Sequence, residues 1–388
     1  EIYTLSLHDA LPILAVIVSG SYHDQQSNYA DKIYNVYESN IYASLLYESE
    51  FGDRHKLAAG LNYNWDNYSQ RGNVIEHYRP QERNVSESVA GAYAEYTWTP
   101  VENFTWMLGL RTDYSNLHHW FVTPRMHLKY APVHWLDLRA SAGKGYRTTF
   151  IFPENSYLLA SNRMWHIADD LKQEEAWNYG ISASFHIPIK SEELTVNAEW
   201  FYTDFQNQVV IDMDKDTHGI YFYNLDGKST SSVFQIDVTY PLFRGFTLLG
   251  AYRWMDVKCT YGNRTLRKPL TSRYKALVTA SYETPLKKWQ FDVTVQFNGG
   301  GRMPTPGAEH PLWNYTFPSY TLLSAQVTRR FRRWNIYVGG ENLTNYKQKN
   351  PIVSAGDPYS PDFDATMVWG PTMGYKLYAG IRYNIPKM

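Results

Sequence analysis

Apolar and polar residues alternate one by one along most of this chain. Between residues 194 and 203 the even positions carry Leu, Val, Ala, Trp and Tyr, whereas the odd positions carry Thr, Asn, Glu, Phe and Thr. Residues 375–385 repeat the pattern, with Tyr, Leu, Ala, Ile, Tyr and Ile on one face. A period of two is that of a β-strand, because successive side chains of a strand point to opposite faces. No stretch of useful length has the helical period, so the pattern predicts an all-β fold.

The alternating segments number about sixteen, and each has about ten residues, the length of a tilted strand that crosses a membrane. The connections between them alternate in length. Short ones are predicted near Gly52, Pro100, Pro132, Pro188, Leu242, Pro285 and Arg332, and long ones at residues 25–37, 66–86, 146–172, 212–228, 299–317 and 346–373. This alternation is typical of an antiparallel transmembrane β-barrel, which has short periplasmic turns and long outer loops. In such a barrel the apolar face of each strand meets lipid and the polar face lines the lumen.

Composition favours membrane strands over membrane helices. Aromatic residues make up 16% of the chain, and many lie near predicted strand ends, where barrels place their aromatic girdles. The longest apolar run, residues 13–18, has six residues, whereas a transmembrane helix needs about 20. The net charge of −1 gives no electrostatic support for nucleic-acid binding. Cys259 is the single cysteine, so an internal disulfide is excluded.

The first thirteen residues, EIYTLSLHDALPI, have a different character. They lack an initiator Met, a basic segment and a small-residue cleavage site, so they do not resemble a signal peptide. All of them fit the in-frame translation of a widely used sequencing-library adapter. We therefore expect residues 1–13 to be an adapter artefact, and the native chain to be cut upstream of Leu14.

Four longer stretches resemble one protein family. They are GYRTTFIFPENSYLLASNR at 145–163, FYTDFQNQVV at 201–210 with the following YFYNLDGKSTSSVFQIDVTY at 221–240, VGGENLTNYKQKNPI at 338–352 and FDATMVWGPTMGYKLYAGIRYNI at 363–385. Together they resemble strands and outer loops of the TonB-dependent receptors of the Gram-negative outer membrane, in particular the Bacteroidota members. The third stretch is the most specific, because it is similar to the Gly-x-Glu-Asn-Leu-Thr-Asn sequence of their penultimate strand.

The resemblance implies a barrel of about 22 strands whose lumen is filled by an N-terminal plug. Residues 14–388 are therefore expected to be the C-terminal part of such a barrel, with the plug and the first strands missing. The implied function is energy-coupled import of a scarce nutrient, such as an iron-siderophore, haem, cobalamin or another metal chelate. The implied partners are outer-membrane lipid, the small nutrient ligand and a periplasmic TonB-type energy coupler that acts through the missing N-terminal region.

Aromatic residues in the predicted outer loops are candidates for ligand binding, because flat side chains stack on flat or apolar ligands. The candidates are Trp165, Tyr221, Tyr223, Trp313 and Tyr315. The alternative is that these aromatics order the long loops by packing on one another.

The stretch DMDKDTH places Asp212, Asp214 and Asp216 at alternate positions, and their carboxylates are suited to the oxygen coordination of calcium. It lacks the Gly and the Glu of an EF-hand loop, so a solvated acidic loop tip is the alternative. Apart from this candidate calcium, no cofactor is predicted.

The ENLTN stretch has a structural explanation that we favour over ligand contact. Asn342 and Asn345 are expected to cap the turn into the outer loop, because Asn side chains bond to nearby backbone and tolerate left-handed conformations. Gly339 and Gly340 are expected to relieve crowding in a strand of a curved sheet.

The sequence contains no Gly-x-Ser-x-Gly or His-Glu-x-x-His motif, so it does not predict an enzyme. Two alternatives to the importer remain. A passive porin-like barrel would have no plug, and a secreted soluble all-β carbohydrate-binding protein would pack the apolar face of each strand inside.

Overall fold

The computed structural model describes residues 12–30, 32–73, 81–304 and 315–385. Of the segment interpreted as an adapter, residues 1–11 lie outside the described residues, and Ile13 begins the first strand. Trp313 also lies outside the described residues.

Strands dominate the described chain, and its helices are short. The strands are β1 (Ile13–Tyr29), β2 (Lys32–Phe51), β3 (His55–Gly72), β4 (Gln81–Val101), β5 (Phe104–Ser115), β6 (His119–Val133), β7 (Leu136–Arg147), β8 (Met164–Ile167), β9 (Glu174–Ile189), β10 (Glu192–Asn207), β11 (Val209–Asp212), β12 (Gly219–Asn224), β13 (Ser229–Phe243), β14 (Phe246–Tyr261), β15 (Arg264–Arg267), β16 (Tyr274–Glu283), β17 (Trp289–Asn298), β18 (Gly301–Arg302), β19 (Thr316–Phe317), β20 (Tyr320–Arg330), β21 (Trp334–Glu341) and β22 (Lys376–Tyr383). The helix α1 spans Ile151–Asn155, and 3₁₀ helices span Gly52–Arg54, Ser156–Ala160 and Pro285–Lys287. Within the described ranges, no helix is long and apolar enough to cross a membrane.

Sixteen of these strands have eight residues or more within the described ranges, which confirms the predicted number of about sixteen. The fold is an all-β transmembrane barrel fold whose long strands pair antiparallel, as predicted, whereas the short strands β8 and β12 pair in parallel. The short connections lie where they were expected. Two predicted long loops, 25–37 and 66–86, are largely wrong, because β1 pairs with β2 as far as Tyr29 and Lys32, and β3 pairs with β4 as far as Gly72 and Gln81. The hydrogen bonds between strands are made by backbone groups, so the strands continue through segments whose side chains are polar.

The chain divides into two compact units. The first comprises Glu1–Pro132, Leu138–Ile181 and Thr203–Ser229. In it, β1 to β6 form an antiparallel meander in which each strand pairs with the next. The outer connections of this unit add a small sheet in which β12 lies between β8 and β11.

The second unit comprises Val133–Asp137, Ser182–Tyr202 and Thr230–Met388. Its meander runs through β14, β16, β17, β20, β21 and β22, all antiparallel. The short strand β15 folds back on β14, and β18 pairs with β19 beyond the end of β17.

The apolar faces of the strands point outward. On β17, the exposed fraction is 41% for Trp289, 40% for Phe291 and 42% for Val293, whereas the alternating Gln290, Asp292 and Thr294 are less exposed. The opposite, polar faces are linked by hydrogen bonds between neighbouring strands, such as Asn197 Nδ2 to Asp237 Oδ2 at 2.8 Å and the Thr279–Thr294 hydroxyl pair at 2.9 Å. A soluble sandwich would bury these apolar faces. The arrangement is that of membrane strands and argues against the soluble alternative.

An arginine placed on the outward face should therefore be costly. For Val293→Arg, in the middle of β17, we expect the free energy of unfolding in lipid vesicles to fall by about 2–4 kcal/mol, because the guanidinium would enter hydrocarbon. Gln296→Arg, on the polar face of the same strand, is the matched control and should lose about 1 kcal/mol or less. Denaturant titration of the vesicle-inserted chain measures both values, and equal losses would contradict the assigned faces.

Candidate functional site

Two groups of outer-loop residues are candidates for a functional site, one in each unit. In the first unit, α1, the following 3₁₀ helix and the small sheet of β8, β11 and β12 enclose an apolar core. Its members are Tyr34, Phe152, Leu158, Leu159, Trp165, Val210, Ile220 and Phe222, all of them buried. We call this group the loop core.

Trp165 is at the centre of the loop core. Its ring stacks on Phe152 at a centroid distance of 5.3 Å and an interplanar angle of 10°, and it contacts Phe222 at 5.0 Å. Tyr34 of β2 stacks on the same Phe152 at 5.7 Å. Trp165 is 2% exposed, so in this structure its ring has no free face for a ligand. These contacts of Trp165 agree with the second explanation given above, in which aromatic side chains order the long loops by packing on one another.

Ionic contacts fasten the loop core to the strands. Arg147, at the end of β7, donates to Glu174 Oε2 from Nε at 2.9 Å and from Nη2 at 2.7 Å, and its Nη1 lies 2.8 Å from Glu154 Oε2 of α1. Glu174 Oε1 in turn accepts the backbone N–H of Val209 at 3.0 Å. Arg147 therefore links a strand end, a helix and the start of β11.

Tyr221 and Tyr223 lie on the opposite face of the small sheet from Trp165. Tyr221 stacks on His166 of the paired strand β8 at 4.5 Å, and Lys215 Nζ lies 4.1 Å from the Tyr221 ring centroid. The Tyr223 hydroxyl donates to Asp212 Oδ2 at 2.7 Å. Loss of water around Tyr221, together with the nearby Asp216 and Asp212, raises the pKa of its hydroxyl. This hydroxyl therefore stays neutral and can donate a hydrogen bond at physiological pH.

The three aspartates predicted for calcium share one loop but differ in their bonds. Asp212 is buried, and its Oδ1 accepts the backbone N–H groups of Asp214 and Lys215 at 2.8 and 3.2 Å. Asp216 Oδ1 accepts the N–H of His218 at 3.0 Å. Among the residues that the structure describes, no three His, Cys, Asp or Glu side chains converge in a way that could hold a metal. The calcium site stays a prediction, and binding would require Asp212 to exchange some of these bonds.

The second unit contains a cavity of about 460 Å³ in its outer loops. It is lined by Met303, Thr316, Phe317, Pro318, Tyr346, Lys347, Gln348, Lys349, Asn350, Ile352, Val353, Met367 and Trp369. We call it the loop cavity. Tyr315, one of the predicted ligand residues, precedes the lining residue Thr316 and is 65% exposed.

An aromatic cluster forms one wall of the loop cavity. Trp369 stacks on Phe317 at 5.5 Å and 12°, and Tyr346 stacks on Tyr320 at 4.9 Å and 9°. Trp369 also approaches Tyr320 at 6.0 Å, which joins the two stacked pairs. Flat ring faces of this kind suit flat or apolar ligands.

Gln348 holds the loop in shape around the cavity. Its side-chain Oε1 accepts the N–H groups of Trp369 and Gly370 at 2.9 and 3.1 Å, and its Nε2 donates to the carbonyl of Met367 at 2.8 Å. The side chain is buried, so it replaces the backbone pairing that this irregular segment lacks.

The charges around the loop cavity are positive. Lys347 and Lys349 are exposed, and neither has a salt bridge to a described residue. No Asp or Glu lines the cavity, and burial raises the pKa of the Tyr346 hydroxyl, which stays neutral. The cavity thus combines an aromatic wall with two lysines at its mouth.

The turn that leads into this loop is built by the ENLTN stretch, as predicted. Asn342 and Asn345 have positive φ angles of 50° and 53°. Asn342 Nδ2 donates to the carbonyls of Tyr346 and Met373 at 2.8 and 3.2 Å, and its Oδ1 accepts the N–H of Tyr346 at 3.0 Å. A Cβ on Gly339 would lie 2.5 Å from the ring of Tyr378, which explains the glycine. The structural explanation of this stretch is confirmed.

The sequence named the aromatic candidates and the aspartates as separate groups, and the structure brings them to one small sheet, where Trp165 contacts Phe222 and the Tyr223 hydroxyl donates to Asp212. Four further residues were not among the sequence candidates, because they meet only through the folding of two separate loops; they are Phe317, Tyr346, Gln348 and Trp369. One sequence feature could have pointed to this cavity. A segment rich in Asn, Gln and Lys is followed about twenty residues later by the aromatic stretch MVWGP.

Comparison with protein families and solved structures gives consistent results. A family model described as TonB dependent receptor-like, beta-barrel, matches residues 4–343. No curated protein matches the sequence.

Several solved structures share the fold at low sequence identity. The copper transporter OprC aligns with a TM-score of 0.72 at 14% identity, over 95% of this chain and 62% of its own length. The ferric enterobactin receptor PfeA from Pseudomonas aeruginosa aligns at 0.67 and 13%, over 96% and 62%. The FrpB iron transporter from Neisseria meningitidis aligns at 0.70 and 12%, over 95% and 61%. The chain therefore spans about three fifths of the length of these structures.

The loop core predicts unequal effects of two aromatic substitutions. Trp165→Ala should lower the free energy of unfolding by about 3–5 kcal/mol, because it removes the largest side chain of a buried cluster. Tyr315→Ala, at an exposed aromatic, should change it by less than about 0.5 kcal/mol. Thermal unfolding followed by near-ultraviolet circular dichroism, with limited proteolysis of the loops, measures both. Equal effects would show that Trp165 is not in a packed core.

Proposed function

Because the chain belongs to the family of TonB-dependent receptor-like β-barrels, we propose that it acts in energy-coupled import of a scarce nutrient across the outer membrane. It is an outer-membrane barrel protein of a family of receptors and transporters. The similar structures carry the names of copper, ferric enterobactin and iron transport proteins. The proposed ligand is accordingly an iron-siderophore, haem, cobalamin or another metal chelate, and no catalytic reaction is assigned to the chain.

The loop cavity is the observation that supports this proposal most. Its volume of about 460 Å³ lies in the range of about 300–1,000 Å³ that small-molecule sites occupy. Trp369 and Tyr346 supply flat apolar contacts, and the buried Phe317 supports the Trp369 ring from behind. Lys347 and Lys349 attract an anionic ligand. A passive pore needs no such site, since its solutes diffuse without being bound.

The other sequence candidates enter the proposal separately. In the first unit, Tyr221 and Tyr223 are proposed ligand contacts on the exposed side of the small sheet, and calcium is proposed to bind Asp212, Asp214 and Asp216. Trp165 would contact a ligand only after the loop core opened, and Trp313 lies outside the described residues. Tyr315 is a proposed contact beside the loop cavity.

Import against a gradient requires work, which the barrel itself cannot supply. A periplasmic TonB-type coupling protein, and a plug that it displaces, are therefore proposed partners. They are proposed on the family alone, and no residue of this chain is assigned to contact them.

The test is uptake in a Gram-negative host. Cells that express the chain within its full reading frame should accumulate a labelled ferric chelate, and deletion of the host's coupling protein or collapse of the proton gradient should abolish accumulation. Accumulation that equals the external concentration and ignores both treatments would establish a passive porin-like barrel instead.

The loop cavity also predicts a binding difference between two aromatic variants of one loop. Trp369→Ala should weaken binding of the accepted chelate by about tenfold or more, because aromatic contacts in enclosed sites contribute about 1–3 kcal/mol. Tyr359→Ala, at a ring that is 74% exposed and does not line the cavity, is the control and should bind as the unchanged protein does. Equilibrium binding to detergent-purified protein measures both affinities. An unchanged affinity of Trp369→Ala would show that the ligand does not bind in the loop cavity.

A further inference from the structure

A second cavity lies at the opposite ends of the strands in the second unit, between two adjacent short turns. It has a volume of about 420 Å³ and is lined by Ile189, Lys190, Ser191, Glu192, Tyr240, Leu242, Phe243 and Arg244. We call it the turn cavity. One turn joins β9 to β10 and the other joins β13 to β14, while β10 and β13 are neighbours in the sheet.

Both turns have fixed backbone geometry. Lys190 has a positive φ of 58° and Gly245 a positive φ of 85°. A Cβ on Gly245 would lie 2.2 Å from the carbonyl oxygen of Glu283, so only glycine fits there. Two-residue connections of this kind hold the residues beside them in place. The positions of Lys190 and Arg244 are therefore set by the sheet.

The wall of the turn cavity belongs to the outward, apolar face of the strands. Ile189 continues the face of the exposed Ile187 on β9, and Tyr240 and Leu242 continue the face of the exposed Phe234 on β13. That face meets lipid. The turn cavity therefore opens toward the membrane rather than toward the polar face of the sheet.

An aromatic group extends this wall. Phe243 is 56% exposed and stacks on Phe246 at 5.0 Å and 11°, with Tyr282 at 6.3 Å. Aromatic rings at the level of strand ends mark the boundary between hydrocarbon and headgroups. The turn cavity thus lies at headgroup depth, with apolar side chains directed to the hydrocarbon.

The charged residues of the turn cavity have no partner among the described residues. Lys190 and Arg244 form no salt bridge or side-chain hydrogen bond there, and neither does the third charged residue, Glu192. Arg330, at a different short turn, contrasts with them because its guanidinium is paired with Glu283 at 2.5 Å. Two cations and one carboxylate give the turn cavity a formal charge of +1.

We propose that the turn cavity binds an anionic phospholipid of the inner leaflet, with the phosphate held by Lys190 and Arg244 and the acyl chains lying on Leu242 and Phe243. An arginine and a lysine are the side chains that best bind phosphate oxygens, and the exposed apolar wall accounts for a lipid rather than a soluble phosphate. The net charge of +1 favours phosphatidylglycerol over the net-neutral phosphatidylethanolamine. This inference is independent of the proposed import function.

Lipid binding to the detergent-purified full chain, followed by native mass spectrometry during titration with phosphatidylglycerol, tests the proposal. Lys190→Gln/Arg244→Gln should bind this lipid about thirtyfold more weakly, since each cation at a headgroup contributes about 1 kcal/mol. Lys287→Gln/Lys288→Gln removes the same charge at a neighbouring short turn that does not line the cavity, and it should change binding less than threefold. Equal weakening of lipid binding in both double variants would show that binding depends only on the overall positive charge of the short turns, and would contradict a specific site in the turn cavity.

Two further arms separate the sources of the phosphate. Inorganic phosphate at millimolar concentration should not displace the lipid, and displacement would make this a soluble-anion site. Phosphatidylethanolamine should bind more weakly than phosphatidylglycerol, and equal binding would overturn the anionic assignment. Heat-modifiable mobility on gels confirms that each variant is folded, so a loss of binding is not a loss of structure.

Discussion

The pairing of backbone N–H and C=O groups between neighbouring strands is the constraint on which the rest of this structure depends. Hydrocarbon offers these groups no partner, so a chain that crosses it as strands must satisfy every one of them from the adjacent strand. The antiparallel registers of the two meanders do this residue by residue. Outward side chains are then left with a single requirement, which is to be apolar, and inward ones are free to be polar.

Beyond the strands this constraint ends, and the loops need other means of holding their shape. The loop core uses stacked rings around Trp165, with Arg147 as an ionic link to the strand below. The loop cavity uses one buried amide, that of Gln348, to satisfy three backbone groups. Both solutions give an irregular chain a defined surface, which is the requirement for recognising a ligand with a small number of contacts.

The strands were predictable because lipid and lumen impose a period of two that is visible in one sequence. The ends of β1 to β4 were not, since their polar outer halves carry no periodic signal and are still paired through the backbone. Asn342 was assigned correctly because its side-chain oxygen caps the turn locally, by accepting hydrogen bonds from Thr344 and Tyr346. Trp369 and Phe317 could not be paired from sequence, because they are about fifty residues apart and meet only where two loops fold together.

The length of β2 and β3 has a consequence for how the first unit moves. These strands have 20 and 18 residues, and at about 3.3 Å per residue each is about 60 Å long. A tilted strand needs only about ten residues to cross the apolar band. The continuous hydrogen-bond ladder between β2 and β3 therefore passes from the hydrocarbon of the membrane into water at about its midpoint. In hydrocarbon a broken hydrogen bond has nothing to replace it, whereas in water it is exchanged for a bond to solvent. Amide protons in the membrane-embedded half of these strands are consequently protected from exchange with water. Those in the outer half exchange when the strand ends open locally, so the same two strands are rigid at one end and flexible at the other.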